Sequence, residues 1–250
     1  DGDSRRGGSA EMPEPLLFEP TLSSGATLTT LKGEWSIGLG TRLDFAGQRF
    51  SKIARRVTLA GELPGLELEE IDGEMSLRSG ASYETSAVLN KGTLVVGPQS
   101  SFTSGGITAD FKNERNLLVL AGGTLTVGDD HVLGAESFTS INGTVTADEL
   151  RAQGGARLVG SGTINGDLVS EIADQNPRIN PGDSPGTLTV NGDVTLPSGT
   201  LVIEASGAAD GEFDVLQVTG DAEIGGTLEF VSFDMFAPSA GDSFPFLQVD

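Results

Sequence analysis

Asn180-Pro-Gly-Asp-Ser-Pro-Gly-Thr-Leu-Thr-Val-Asn-Gly-Asp-Val-Thr-Leu-Pro-Ser-Gly-Thr-Leu-Val-Ile-Glu204 reads as turn, strand, turn, strand, turn, strand, with almost nothing else. Residues 187–190, 194–196 and 200–203 alternate β-branched and apolar side chains, the two-residue period of a chain lying flat in a sheet. Between them, Asn191-Gly192 and Ser198-Gly199 turn the chain sharply, because glycine tolerates positive φ. Further on, residues 213–218, 223–224, 227–231 and 244–247 keep the pattern but are richer in phenylalanine. Larger side chains suit the closed end of a repetitive sheet, where the last layer must be covered.

Working back from this stretch, the same kind of unit recurs, a glycine followed by a short alternating strand. Gly73-Glu-Met-Ser-Leu77, Gly92-Thr-Leu-Val-Val96, Gly106-Ile-Thr-Ala109, Gly123-Thr-Leu-Thr-Val127, Gly143-Thr-Val-Thr-Ala147 and Gly162-Thr-Ile164 are its instances. They follow one another at intervals of 19, 14, 17, 20 and 19 residues. A repeat near 20 residues is about one coil of a β-solenoid and too short for a helix-containing unit. A hairpin meander repeats at about 8–12 residues instead. Weaker apolar strips at 86–89, 116–120, 137–141 and 156–159 lie between the glycine-led strands, so a coil holds two or three strands with corners at Gly, Asn and Asp. Residues 147–153 are the sole candidate for a helical turn. The expectation is an all-β, right-handed parallel β-helix: a flexible leader at 1–20, solenoid coils at 21–171, and a more irregular capping segment at 172–250 continuous with the core.

Composition narrows the function classes. The chain has 250 residues, 36 Gly, no Cys, one Trp, one Tyr and a formal net charge of −21. Such a surface repels nucleic acid and anionic lipid and attracts cations. No stretch reaches the roughly 20 apolar residues of a membrane-spanning helix. A long repetitive sheet does not lean on disulfides, so the lack of cysteine is compatible with secretion. Residues 1–15 carry no signal-like apolar run, and the pattern is still in progress at residues 247–250, which raises the expectation that more protein follows.

Candidate chemistry is sparse. The single histidine lies in Asp129-Asp130-His131, where two carboxylates beside an imidazole could bind a metal or shuttle protons; the favoured reading is a polar corner, because neighbours along a strand face opposite ways. With one His and no Cys, a His-rich zinc site and a Cys–His nucleophile are both excluded. Asn165-Gly-Asp167, Asn191-Gly-Asp193 and Gly220-Asp221 place carboxylates at turn after turn, as do Gly182-Asp183 and Gly241-Asp242. Asp167, Asp193 and Asp221 are the candidate Ca²⁺ ligands, set against the simpler fact that such pairs are good turn formers. Arg55-Arg56, Arg151 and Arg157 hint at the kind of site that β-helix polysaccharide lyases use, although one Trp and one Tyr leave few platforms for stacking sugars.

The residues Ser184-Pro-Gly-Thr-Leu-Thr-Val-Asn-Gly-Asp-Val-Thr-Leu-Pro-Ser-Gly-Thr-Leu-Val-Ile-Glu204, then Phe213-Asp-Val-Leu-Gln-Val-Thr-Gly220, Gly225-Gly-Thr-Leu-Glu-Phe230 and Pro238-Ser-Ala-Gly-Asp-Ser-Phe244, resemble the distal passenger segment of autotransporter-type bacterial surface proteins. The likeness covers the last third of the chain, and the middle through its Gly-Thr-Leu-Thr-Val style of strand. It implies an exported right-handed β-helix at the bacterial cell surface or in the medium, while no translocator barrel or sorting tail is visible in these residues. The functional expectation is a non-enzymatic structural or adhesive protein that contacts a cell surface, a glycan or copies of itself, head to tail or by an edge strand. The alternative is a carbohydrate-active β-helix, either a lyase or a glycosidase.

Overall fold

The computed structural model describes residues 17–18, 30–45, 48–105, 111–171 and 176–250. Most of the leader, residues 27–29, Gly47, the unit Gly106–Ala109 and residues 174–175 lie outside the described residues. Within them the chain is all-β without helices, a right-handed parallel β-solenoid.

Each coil presents three faces. Face 1 is a ten-stranded sheet that begins at Glu34–Ile37 and Arg56–Leu59 and ends at Thr200–Ala205 and Thr227–Ser232. Faces 2 and 3 belong to a 16-stranded sheet. Face 2 stacks Ser82–Thr85, Ser101–Ser104 and Thr124–Val127, and later Thr187–Asn191, Val215–Val218 and Leu247–Val249. Face 3 stacks Phe50–Ile53, Leu66–Ile71, Val88–Asn90, Phe111–Asn113 and His131–Leu133, and later Val194–Leu196 and Ala222–Ile224. Thr144–Ala152 and Thr163–Ser170 pass around the corner and serve faces 2 and 3 in turn. The ladders stay parallel from residue 178 to 249, so the C-terminal part shares the stack of the coils before it.

The coils close because the alternation read from the sequence puts one apolar side of every strand inward. On face 2 the inward column runs Phe102, Leu125, Val145, Ile164, Val190 and Val218, each fully buried. On face 1 Met75, Leu94, Leu117 and Leu158 stack the same way, with buried Thr139 between the last two. Sealing each such side chain contributes roughly 1.5–3 kcal/mol, so the fold is stabilised coil upon coil rather than by one central cluster.

Three sequence expectations change here. Residues 147–153 make no helical turn; Thr144–Ala152 is strand, because Leu150 and Ala152 continue the inward column above His131 and Leu133. The glycine-led units do not form one column either. Gly73 and Gly92 precede strands of face 1, whereas Gly123, Gly143 and Gly162 precede strands of face 2. Both corners select glycine for the same reason: a Cβ on Gly92 would strike the carbonyl of Gly73, and one on Gly143 or Gly162 the carbonyl of Gly123 or Gly143. Finally, Gly199 has φ +117 as a turn glycine should, but Gly192 is held by close approach, since a Cβ there would press on Gly166 and the Asp167 carboxylate.

Candidate functional site

The corner between faces 2 and 3 gathers the three aspartates singled out in the sequence. Asn165-Gly166-Asp167, Asn191-Gly192-Asp193 and Thr219-Gly220-Asp221 lie one above another, because their flanking strands are in register. The Asp193 N–H donates to Asp167 Oδ1 at 2.8 Å, and the Asp221 N–H donates to Asp193 Oδ1 at 2.8 Å. Each carboxylate thus clips the next coil's backbone, and the row climbs the corner as a ladder instead of closing into a cage. Among the described residues no group of three or more Asp, Glu or His side chains is placed to hold a metal ion. Asp183 lies in the preceding loop, and Asp242 accepts from the Ser239 N–H at 2.7 Å, so neither joins the row.

Beside the aspartates runs an amide row. Asn191 Nδ2 donates to Asn165 Oδ1 at 2.8 Å, and Asn165 Nδ2 donates to Thr146 Oγ1 at 3.3 Å. A second amide row, not foreseen from the sequence, is buried at the corner of faces 3 and 1. Asn90 Nδ2 donates to Asn113 Oδ1 at 2.8 Å and to the Asn116 carbonyl at 2.8 Å. Asn113 Nδ2 donates to Thr139 Oγ1 at 2.9 Å, and Asn113 Oδ1 accepts from the Arg115 N–H at 3.3 Å. An asparagine suits such a stack because one side chain both donates and accepts. The available signal was the 23-residue separation of Asn90 and Asn113, close to one coil.

His131 is not a polar corner. It faces inward in face 3, directly between Phe111 and Leu150, and is fully buried. Its ring meets Phe111 edge to face with centroids 5.0 Å apart, at the end of a chain of ring contacts from Tyr83 through Phe102. Neither ring nitrogen finds a partner among the described residues, and burial pushes the imidazole down to about 3, leaving it neutral. Asp130 turns the other way and pairs with Arg151 at 3.3 Å, so the carboxylate and the imidazole are not brought together.

A second buried ionisable group, Asp214, explains the Pro/Gly-rich crossing. Asp214 Oδ1 accepts from the Gly186 N–H at 3.0 Å and Oδ2 from the Glu204 N–H at 2.9 Å. Asn180, its amide turned so that nitrogen faces inward, donates to Asp214 Oδ2 and to the Val202 carbonyl, each at 3.2 Å. Gly182 leaves room for the carboxylate, since a Cβ there would collide with Asp214 Oδ1. Burial pushes the Asp214 carboxyl up to about 6, while the two backbone N–H groups pull it the other way. The clip fastens the loop after face 1 to the strand one coil on, a structural job for the residues quoted at the outset.

The arginines considered for polysaccharide chemistry are dispersed. Arg55 and Arg56 pair with Glu34 and Glu74 near the start of the rod. Arg151 sits on face 3 against Glu149 at 2.6 Å, while Arg157 on face 1 lies over the Phe138 ring at 6.0 Å. A groove of about 470 Å³ is lined by Gly40, Thr41, Arg42, Ala60, Gly61, Glu62, Gly80, Ala81 and Ser82, and none of these candidates reaches it. No protein-family model, curated protein or solved structure matches this chain.

Proposed function

We propose that the protein is a non-enzymatic extracellular structural or adhesive β-solenoid of a bacterial cell surface, presenting an acidic rod to a cell, a glycan or copies of itself. One observation carries the reading: the candidate aspartates, like the polar groups the structure adds to them, are spent on ladders and clips that bind coil to coil instead of converging on a cleft. The Asp167–Asp193–Asp221 row, both Asn rows and the Asp214 clip all hold backbone or one another. The autotransporter-like residues quoted above support the extracellular address.

The test sets this reading against the carbohydrate-active alternative. The purified chain is incubated with acidic polysaccharides and Ca²⁺, and in parallel examined by electron microscopy at rising concentration. Rods that lengthen, with no unsaturated or reducing-end product, support the proposal. Product formation overturns it in favour of the lyase or glycosidase.

A further inference from the structure

Face 2 carries a feature that the rod function does not use. Its outward rows are Ser101–Thr124–Thr144–Thr163–Thr189 and Thr103–Thr126–Thr146–Asn165–Asn191, each aligned coil by coil through the parallel register. Along a row the side chains repeat at the inter-strand spacing of about 4.8 Å, and between the rows at two residues of strand, roughly 6.7 Å. Five coils in succession therefore display a rectangular lattice of hydroxyls and methyls, finished by two amides.

Four properties make this lattice a surface prepared for a partner. Between Ser101 and Asn191 it contains no charge, in a chain whose formal net charge is −21; Glu84, stacked one coil before Thr103, lies just outside it. It is rigid: Phe102, Leu125, Val145 and Ile164 are wholly buried beneath it, and β-branched threonines on a sheet have little rotamer freedom. It is flush along one border, where Gly122-Gly123, Gly143 and Gly162 leave no side chain or only small ones to stand proud. Most of its hydroxyls are also unspent. Among the described residues those of Thr103, Thr124, Thr126, Thr144 and Thr163 meet no protein donor or acceptor, although these residues are half-buried.

We propose that face 2 binds the surface of ice. The partner that fits an uncharged, planar, two-dimensional lattice of hydroxyl and methyl groups is itself an uncharged planar lattice of hydrogen-bonding oxygens. The two repeats of face 2 are of the same order as the oxygen spacings on the prism faces of hexagonal ice. Adsorption needs no ordering of the protein, because the array is fixed by the backbone ladders below it, and so avoids the immobilisation cost of a flexible binder. A glycan fits less well: the rows offer no aromatic ring for stacking and no carboxylate or guanidinium for bidentate hydrogen bonding.

The test uses the full chain in slowly growing ice. The expected result is enrichment of the protein in the ice fraction, a gap between melting and freezing points, and faceted crystals. Thr126→Lys, at the centre of the lattice and pointing away from the core, abolishes all three while circular dichroism and the thermal midpoint show an intact fold. Thr126→Ser, which keeps the hydroxyl and removes the methyl, retains part of the effect. Exclusion of the wild-type chain from ice to the level of an inert control protein overturns the proposal, as does full activity in a folded Thr126→Lys chain. Loss of a dimer, or of binding on a glycan array, as the sole consequence of Thr126→Lys also overturns it and assigns the face to that partner.

Discussion

Between Glu34 and Lys91 the outside of the rod is laced by charge, whereas face 2 from Ser101 to Asn191 bears none, and the two regions meet one constraint in different ways. Parallel in-register coils place each outward side chain directly above its counterpart in the next coil. In the first region opposite charges alternate: Arg42 meets Glu62 at 2.8 Å, Arg49 meets Glu67 at 2.8 Å, Arg56 meets Glu74 at 3.1 Å, and Glu70 is shared between Lys52 and Lys91. In the second, like stacks on like, Thr on Thr and Asn on Asn, because hydroxyls and amides both donate and accept. Carboxylates can be stacked only with help, and the Asp167–Asp193–Asp221 row finds it in backbone N–H groups of the next coil. Cross-coil chemistry is thus chosen by which side chains can tolerate their own image.

That comparison extends inward, where the cost of a poor match is greatest. His131 is the one inward position whose side chain is ionisable and lacks a partner among the described residues. Its folded pKa of about 3 lies below the ordinary 6.5, so the unfolded chain binds the extra proton first. The stability tied to neutral His131 is complete above pH 6.5 and is lost as the pH falls toward 3, on the order of 5 kcal/mol across that window. His131→Leu, matching the residue above it at Leu150, is expected to move the acid-unfolding midpoint down and to raise stability at pH 7 by about 1–3 kcal/mol, measured by denaturant titration at several pH values. An unchanged acid midpoint would show that other groups govern acid unfolding.

The two amide rows give the next test, since one is buried and one exposed. Asn113→Ala strips a partner from Asn90, Thr139 and the Arg115 N–H in the interior, and is expected to cost about 2–3 kcal/mol. Asn191→Ala removes the same kind of bond at the surface and is expected to cost well under about 1 kcal/mol. Equal losses in urea titrations would mean that burial does not set the worth of these ladders. The smallest effect belongs to the charge lacing. Lys52 and, behind it, Lys91 hold the Glu70 carboxyl below the usual carboxylate range, yet these are water-facing pairs screened by salt. Glu70→Gln is expected to lower the thermal midpoint slightly in dilute buffer and not at all in concentrated salt.

What the sequence disclosed follows from the same geometry. Alternation over residues 187–190 and 200–203 tells which side of a strand is greasy, and the strands Thr187–Asn191 and Thr200–Ala205 stand where that pattern lies. It does not tell which face of the coil the strand belongs to, so Gly92 and Gly123 looked equivalent although they open different faces. The strands Phe50–Ile53, Ser82–Thr85 and Ser101–Ser104 passed unnoticed because Lys, Glu, Ser and Thr dilute their hydrophobicity. The charged dipeptide before His131 suggests a corner, while the neighbours that place it in the interior, Phe111 below and Leu150 above, are about 20 residues away in each direction. The aspartate row was visible as three turn-forming pairs, but the bond each makes to the next coil's amide depends on register, which only the stack supplies.

The direction of those bonds has a mechanical consequence. Every ladder joins one coil to the next, so the hydrogen bonds point along the length of the rod. Tension applied at the two ends passes through every seam in turn, and a terminal coil, held by a neighbour on one side alone, peels first, so that the rod pays out loop by loop. With cross-coil partners 18 to 28 residues apart, each loop let go yields roughly 60–100 Å of extended chain. A tether of this build would absorb a sudden tug in many small, reversible increments where a shear-loaded sandwich resists and then gives way at once.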